Sequence, residues 1–217
     1  MITRIIKSYI GLPKNIHLLF LLEFSLSLIH VAFILILNIF LRKKGFSDPE
    51  IASFNSLRFI SALIFALPLG IYIKGKKLKS FFIFSALMVP VTSVFIIQSI
   101  HYDINYLIKF SFLMWGLSMM IMRVCSLPFI IRNTNSQNTT EALSLIAATW
   151  SLSTIFSGLI ISGINWVEYL MIFDTIYYLD ERIILLFITL LGLGGLYFSF
   201  QINEDTLKIN EQTKTFN

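Results

Sequence analysis

Two ionisable side chains interrupt the first long apolar stretch of this sequence. Glu23, Ser27 and His30 fall at positions i, i+4 and i+7, a spacing that places all three on one face of a helix. Ionisable groups inside an apolar segment are costly and commonly mark the path of a solute or an ion. A proton relay through His30 fits the titration of imidazole near neutral pH. A histidine hydrogen-bonded to a neighbouring helix is the alternative interpretation.

Two arginines occur within later apolar stretches. Arg58 lies about nine residues from the start of the second stretch. If this stretch crosses a membrane with its start at the outer surface, we expect Arg58 at the outer mouth of a cavity. Arg123 and Glu23 each lie about eight residues from the inner surface, or about 12 Å at roughly 1.5 Å per residue. The candidates for a substrate or proton pathway are therefore Glu23, Ser27, His30, Arg58 and Arg123.

The matching depth of Glu23 and Arg123 leaves three arrangements open. They form an ion pair that a substrate or a proton breaks, a static pair that holds two helices together, or they do not meet. Arginine also binds carboxylates and phosphates through two parallel hydrogen bonds, so Arg123 is a candidate for holding an anionic substrate.

Six apolar stretches carry these residues, and each is long enough to cross a bilayer. Hydrophobic residues make up 56% of the 217, charged residues 13%, and the mean hydropathy is +0.80. A soluble domain could not keep such a surface dispersed. The stretches lack the strict alternation of strands, so the sequence predicts an all-α integral membrane protein. Its predicted helices span about 15–41, 49–73, 80–100, 104–131, 140–164 and 181–200.

Residues 1–201 are thus predicted to form one six-helix transmembrane bundle, and 202–217 a polar cytoplasmic tail or the start of a linker. Asp48 is the predicted N-cap of the second helix. The segment 165–180 mixes aromatic and acidic side chains, which predicts a short interfacial helix or packed loop. Close packing of the fifth helix is predicted from a ridge of small residues, namely Thr154, Gly158 and Ser162.

The distribution of basic residues predicts the orientation of the bundle. With the N-terminus inside, inner segments hold ten Lys and Arg residues and outer segments hold four. Inner loops carry the excess of positive charge in membrane proteins. We therefore expect a multi-pass protein of the cell (inner or plasma) membrane with both termini in the cytoplasm.

Three local segments match the pattern of one family. A polar turn at 45–51 precedes the second helix, the run 70–77 reads Gly-Ile-Tyr-Ile-Lys-Gly-Lys-Lys, and 128–134 leads into the helix start at 141–145. With six helices, these segments resemble the N-terminal half of a major facilitator superfamily transporter, whose loop signature is G-x-x-x-D-R-x-G-R-R. The resemblance covers about residues 12–201.

This resemblance implies a secondary active transporter that moves a small solute by alternating access. It also implies that the six helices form two three-helix repeats of inverted topology, and that Gly70, Lys74, Lys76 and Lys77 belong to a gating loop. Lys74 stands where the family has an aspartate that helps hold two halves in the outward-facing state. Family members have two such halves, so we expect a second six-helix half: a missing C-terminal half, a second copy or a separate chain.

The sequence carries no enzyme signature. It lacks a metal-binding H-E-x-x-H motif, a G-x-S-x-G elbow, a Gly-rich phosphate loop and a Cys/His cluster. We therefore expect no enzyme activity, no cofactor and no nucleic acid, with the lipid bilayer, a small-molecule solute and a second half as partners. The alternative function is a non-transporting six-helix membrane protein that acts as an assembly or regulatory subunit.

Overall fold

The chain folds into helices that are long and apolar enough to cross a membrane. The computed structural model describes residues 8–171 and 180–203, and no strand occurs within them. Six candidate membrane helices lie in this part of the chain, which confirms the predicted all-α class and the predicted number of spans. They are α1 (Lys14–Lys43), α2 (Asp48–Tyr72), α3 (Lys79–His101), α4 (Asn105–Asn133), α5 (Thr139–Met171) and α6 (Glu181–Gln201).

Two helices differ from their predicted form. α1 contains a wider π-helical turn at Phe33–Leu37, and turns of this kind are often found at functional sites. α5 continues to Met171, so the first part of the predicted interfacial segment is helical and continuous with this span. The rest of that segment, 172–179, and most of the predicted tail, 204–217, lie outside the described residues.

The N-cap of α2 is Ser47, not Asp48 as the sequence predicted. The backbone N–H and the hydroxyl of Ser47 both donate to the Glu50 carboxylate, at 2.8 and 2.7 Å. Asp48 instead forms a 2.8 Å ion pair with Arg42 across the turn. The error arose because serine and aspartate are both good caps, and the glutamate three residues after Ser47 decides between them.

α1 and α4 form the centre of the bundle. α1 packs against α5 and α6, α4 packs against α2 and α3, and α3 contacts α6. This pattern is unchanged when α1 is exchanged with α4, α2 with α5, and α3 with α6. The two helices of each of these exchanged pairs are also buried to a similar extent. In α1 and α4, 67% and 61% of the apolar windows are buried, whereas in α2 and α5 only 11% and 17% are buried. The largest uncovered faces therefore belong to α2 and α5.

Polar contacts hold the two ends of the bundle. At one end the Asn15 amide donates to Asn133 Oδ1 at 2.7 Å and to the Asn203 carbonyl at 2.6 Å, which joins α1, α4 and the residues after α6. At the opposite end Lys43 pairs with Glu181. The start of α6 also reaches α3 there, where Arg182 Nη2 donates to Gln98 Oε1 at 2.9 Å. These contacts fix the height of the central helices relative to α6.

The small-residue ridge of α5 does not pack within the described chain. Thr154, Gly158 and Ser162 are all exposed, contrary to the predicted close packing. α1 is instead contacted by the neighbouring face of α5. On that face the buried hydroxyls of Ser153 and Ser157 donate across to backbone carbonyls of α1 at 3.3 Å. Spacing alone did not show which of the two small-residue faces meets α1.

Candidate functional site

A pocket of about 130 Å³ opens between α1, α2 and α4. It brings together three of the five residues that the sequence singled out, His30, Arg58 and Arg123. Aromatic, sulfur-containing and small residues form the rest of its lining: Phe59, Ala62, Trp115, Gly116, Met119 and Met120. The pocket therefore combines two guanidinium groups with an apolar wall.

Both arginines lie near the middle of their helices. Arg58 lies ten residues after Asp48, where α2 begins, and Arg123 lies ten residues before Asn133, where α4 ends. At roughly 1.5 Å per residue, each is about 15 Å from a helix end, which is half of a hydrocarbon core about 30 Å thick. The two ends are on opposite sides of the bundle, and both arginines line the one pocket.

An aromatic stack supports the floor of the pocket. The rings of His30 and Trp115 are nearly parallel with centroids 5.1 Å apart, and Phe33 stacks on the same indole at 5.3 Å. The Arg58 guanidinium carbon lies 5.9 Å from the Trp115 ring centroid, and that of Arg123 lies 5.9 Å from the ring of Trp150. Both guanidinium groups are thus positioned partly by cation–π attraction.

Buried polar nitrogens in this pocket have no hydrogen-bond partner among the described residues. They are Nε of Arg58, Nε1 of Trp115 and Nδ1 of His30. Arginine and tryptophan nitrogens can only donate. A buried donor without an acceptor is costly, so the pocket is short of acceptors.

Glu23 and Arg123 do not form an ion pair in this structure. The Glu23 carboxylate contacts the hydroxyl of Ser126 on α4, and Thr149 on α5 is a second hydroxyl near it. Arg123 acts on Glu23 through its electrostatic field, while Arg123 is itself exposed. Of the three arrangements left open by the sequence, the structure has the third, in which Glu23 and Arg123 do not meet.

The hydroxyls beside Glu23 have other acceptors. Ser126 Oγ also lies 3.0 Å from the Met122 carbonyl, and Thr149 Oγ1 donates to the Ile146 carbonyl at 2.6 Å. A hydroxyl has one hydrogen and can accept through its lone pairs. Ser126 can therefore donate to an ionised Glu23, or turn its hydrogen to Met122 and accept from a protonated Glu23. This geometry accommodates both protonation states of the carboxyl group.

The sequence reasoning did not single out Ser126 or Thr149 as partners of Glu23. A signal for Ser126 existed, because it lies three residues after Arg123 and so shares a face of α4 with it. Ser27, by contrast, is half-buried on α1 and does not line the pocket. Glu23 also lies outside the pocket lining, close enough to Arg123 for an electrostatic interaction.

The predicted gating loop is tied to the end of α4. Arg132 Nη1 donates to the Lys76 carbonyl at 2.7 Å, and Lys76 Nζ lies 3.1 Å from the centroid of the Tyr72 ring. Lys74 and Lys77 are exposed. Gly70 is also exposed, and a Cβ added there would meet nothing within 4 Å.

Comparisons of the sequence with protein-family models and with curated proteins found no match. Within the described residues no group of three or more His, Cys, Asp and Glu side chains could hold a metal ion. The site combines the two arginines, the aromatic stack and the nearby carboxyl group of Glu23.

Proposed function

We propose that this chain is one six-helix half of a secondary active transporter that moves a small solute across a membrane by alternating access. The observation that supports the proposal is the pair Arg58 and Arg123, which line one pocket within the candidate membrane helices with no described carboxylate paired to either. Intramembrane charges of this kind commonly face a solute pathway.

Because Arg123 is exposed, the surface around it is expected to contact water or another protein rather than lipid. An arginine at the centre of a membrane helix costs about 3 kcal/mol or more when lipid surrounds it. Arg123 is exposed on the chain as described, so contact with bare lipid there would be unfavourable. An aqueous cavity, closed on its far side by another polypeptide, removes this cost.

A second six-helix half is the partner we propose for the open face. The poor coverage of α2 and α5 and the exposed ridge of α5 leave a broad apolar surface beside the pocket. The packing pattern also repeats when each helix is exchanged with the one three positions later. Such an exchange reverses helix direction, as in inverted repeats of transporters. Both observations support the resemblance to one half of a major facilitator superfamily protein.

Glu23 is the coupling group in this proposal. Its carboxyl group can gain or lose a proton beside Ser126, and its charge acts on the Arg123 guanidinium that lines the pocket. Protonation would weaken the attraction between Glu23 and Arg123 and free the guanidinium to bind solute. The proton and the solute would thus act on one shared arginine.

We further propose that both termini face the cytoplasm of a cell membrane. The positive-inside rule supports this orientation, and the Asn15–Asn133–Asn203 contacts place the start of α1 and the end of α6 on one side. Alkaline phosphatase fused after Asn217 should be inactive, and a fluorescent protein fused there should be bright. A phosphatase inserted in the turn between α1 and α2 should be active; the reverse pattern would reject the orientation.

Cysteine labelling tests the aqueous pocket. Ala62→Cys, in a Cys125→Ala background, places a thiol in the pocket lining. Because a transporter exposes its central site to each side in turn, a membrane-impermeant thiol reagent should label this cysteine in both right-side-out and inverted vesicles. The neighbouring Leu63→Cys is at the same depth but lies outside the pocket lining, and it should react at least about tenfold more slowly because lipid or protein covers it.

Two results would count against a transporter. Equal labelling of the two positions would mean that water reaches the whole helix and that no specific cavity exists. No labelling from either side would mean that the pocket is sealed, and the chain would then fit a non-transporting assembly or regulatory subunit better.

A further inference from the structure

We propose that the pocket binds a small organic monoanion, with its acidic group between Arg58 and Arg123 and its apolar body against Trp115 and Met119. This inference rests on the proposed function, because it names the class of solute that the central site would carry. Four features of the described residues support it: formal charge, hydrogen-bonding capacity, shape and depth.

The formal charge of the site is positive. Arg58 and Arg123 repel each other, and neither forms an ion pair with a described carboxylate. Glu23 is the acidic group whose field reaches Arg123. With Glu23 ionised the site carries one positive charge, and with Glu23 protonated it carries two, so a monoanion is attracted in both states. A cationic solute would add to the repulsion.

The hydrogen-bonding capacity of the site is also unbalanced towards donors. Nε of Arg58 and the indole N–H of Trp115 are buried without an acceptor among the described residues. A carboxylate has two oxygens that accept several hydrogen bonds, and guanidinium groups match its planar geometry. A neutral amide of the same shape would present one oxygen and two more donors to a site that lacks acceptors.

Size and lining indicate the non-polar part of the ligand. The pocket volume of about 130 Å³ is close to that of an engineered cavity that holds one benzene molecule. Trp115, Phe59 and two methionines provide aromatic and adaptable apolar contacts. The site therefore suits a monoanion with a body of about one ring, rather than a bare inorganic anion.

Depth favours a free solute over a lipid headgroup. A phospholipid phosphate has the same attraction for arginine, but it resides at the membrane surface. Arg58 and Arg123 are each about 15 Å from a helix end at roughly 1.5 Å per residue, and this is too deep for a headgroup in an undistorted bilayer. We therefore assign the site to a solute that enters from water.

Binding to the purified full chain tests the inference without requiring transport. The chain is placed in zwitterionic lipid nanodiscs, and binding of acetate, benzoate and phenylacetate is measured by calorimetry beside benzamide and phenylacetamide. Benzoate or phenylacetate should bind at least about tenfold more tightly than its amide, and more tightly than acetate. The proposal is overturned if no carboxylate binds, or if the amides bind as well as the acids.

Matched variants locate the binding. Arg58→Gln and Arg123→Gln should each weaken benzoate binding at least about tenfold, because each removes a charged donor. Lys109→Gln removes the same charge from an exposed position of α4 outside the pocket, and it should leave binding unchanged. Trp115→Phe removes the indole N–H and part of the ring surface that stacks with His30 and Phe33, so it should also weaken benzoate binding. Unchanged affinity in both arginine variants would reject the site.

Two further experiments separate a free solute from a lipid phosphate, and ligand binding from a transport cycle. Loss of benzoate binding in nanodiscs of phosphatidylglycerol would show that a lipid phosphate occupies the arginines, and it would overturn the solute assignment. Benzoate binding that depends on both arginines, in a protein whose Ala62→Cys is reached from only one side, would support the ligand class and reject the transport cycle. The two proposals can therefore fail independently.

Discussion

At the scale of single residues, the contact between Glu23 and Ser126 is a polar link between α1 and α4. A partly buried carboxylate needs hydrogen-bond donors, and Ser126 is the side chain that contacts it from across the helix interface. Arg123, which the sequence offered as a possible partner, lies on the same face of α4 but is exposed. α4 thus provides Ser126, which contacts Glu23, and Arg123, which is charged and does not touch Glu23.

Ser126→Ala should lower the unfolding temperature of the detergent-solubilised protein. The change removes the Ser126 hydroxyl and leaves that of Thr149 near Glu23, and loss of a buried hydrogen-bond partner costs about 1–3 kcal/mol. The control is Ser56→Ala, because Ser56 is exposed on α2 and its hydroxyl donates only to the carbonyl of Ala52, at 2.8 Å. Equal unfolding temperatures for the two variants would mean that the Ser126 contact adds no stability.

At the scale of helices, Gly116 allows α2 to lie directly against α4. A Cβ at this position would fall on the backbone of Arg58 and on the hydroxyl of Ser61. Small residues at helix crossings of membrane proteins permit this close approach. The same contact positions Arg58 in the pocket, so the geometry of the site depends on the absence of a side chain at Gly116.

Gly116→Ala should destabilise the bundle by about 1–3 kcal/mol, because the obstructing atoms belong to a backbone that cannot rotate away. The expected result is a lower unfolding temperature, measured by thermal denaturation in detergent. Gly158→Ala is the matched control, since a Cβ there would meet nothing within 4 Å. Alanine favours helix by about 1 kcal/mol over glycine, so the control should be as stable as the parent or more so. Equal losses would argue against a close α2–α4 contact.

At the scale of the whole molecule, the bundle has a well-packed side and an open side. α1 and α4 are buried by their neighbours, while the apolar windows of α2 and α5 are 11% and 17% buried. Arg123 is exposed, and the pocket that it lines is short of acceptors. A lone bundle would present these groups to lipid, which is unfavourable.

The mass of the complex extracted from native membranes should exceed that of one chain. Native mass spectrometry should detect this 25.0 kDa chain together with a second copy or another six-helix chain, because the proposed cavity needs a second wall. A thiol-directed cross-linker on Gly158→Cys, in the Cys125→Ala background, should capture the same partner, since this position of α5 is exposed. A species of one chain only would contradict a two-half transporter and favour a regulatory role or an inactive remnant.

The sequence by itself determined the all-helical class of the protein and the positions of its charged residues along the helices. Long apolar stretches predict helices in lipid because the backbone must satisfy its own hydrogen bonds there. The rise per residue then places Glu23, Arg58 and Arg123 within the span. The sequence also determined which residues share a helix face, as with Glu23, Ser27 and His30.

Only the tertiary structure decided which neighbours these faces meet. Spacing along a helix sets depth and direction relative to its own axis, but not the rotation of one helix against another. That rotation gave Glu23 a serine rather than an arginine, left the ridge at Gly158 exposed, and brought Arg58 beside Trp115. It depends on contacts between residues far apart in sequence, such as Gly116 against the backbone of Arg58, and a linear pattern does not contain them.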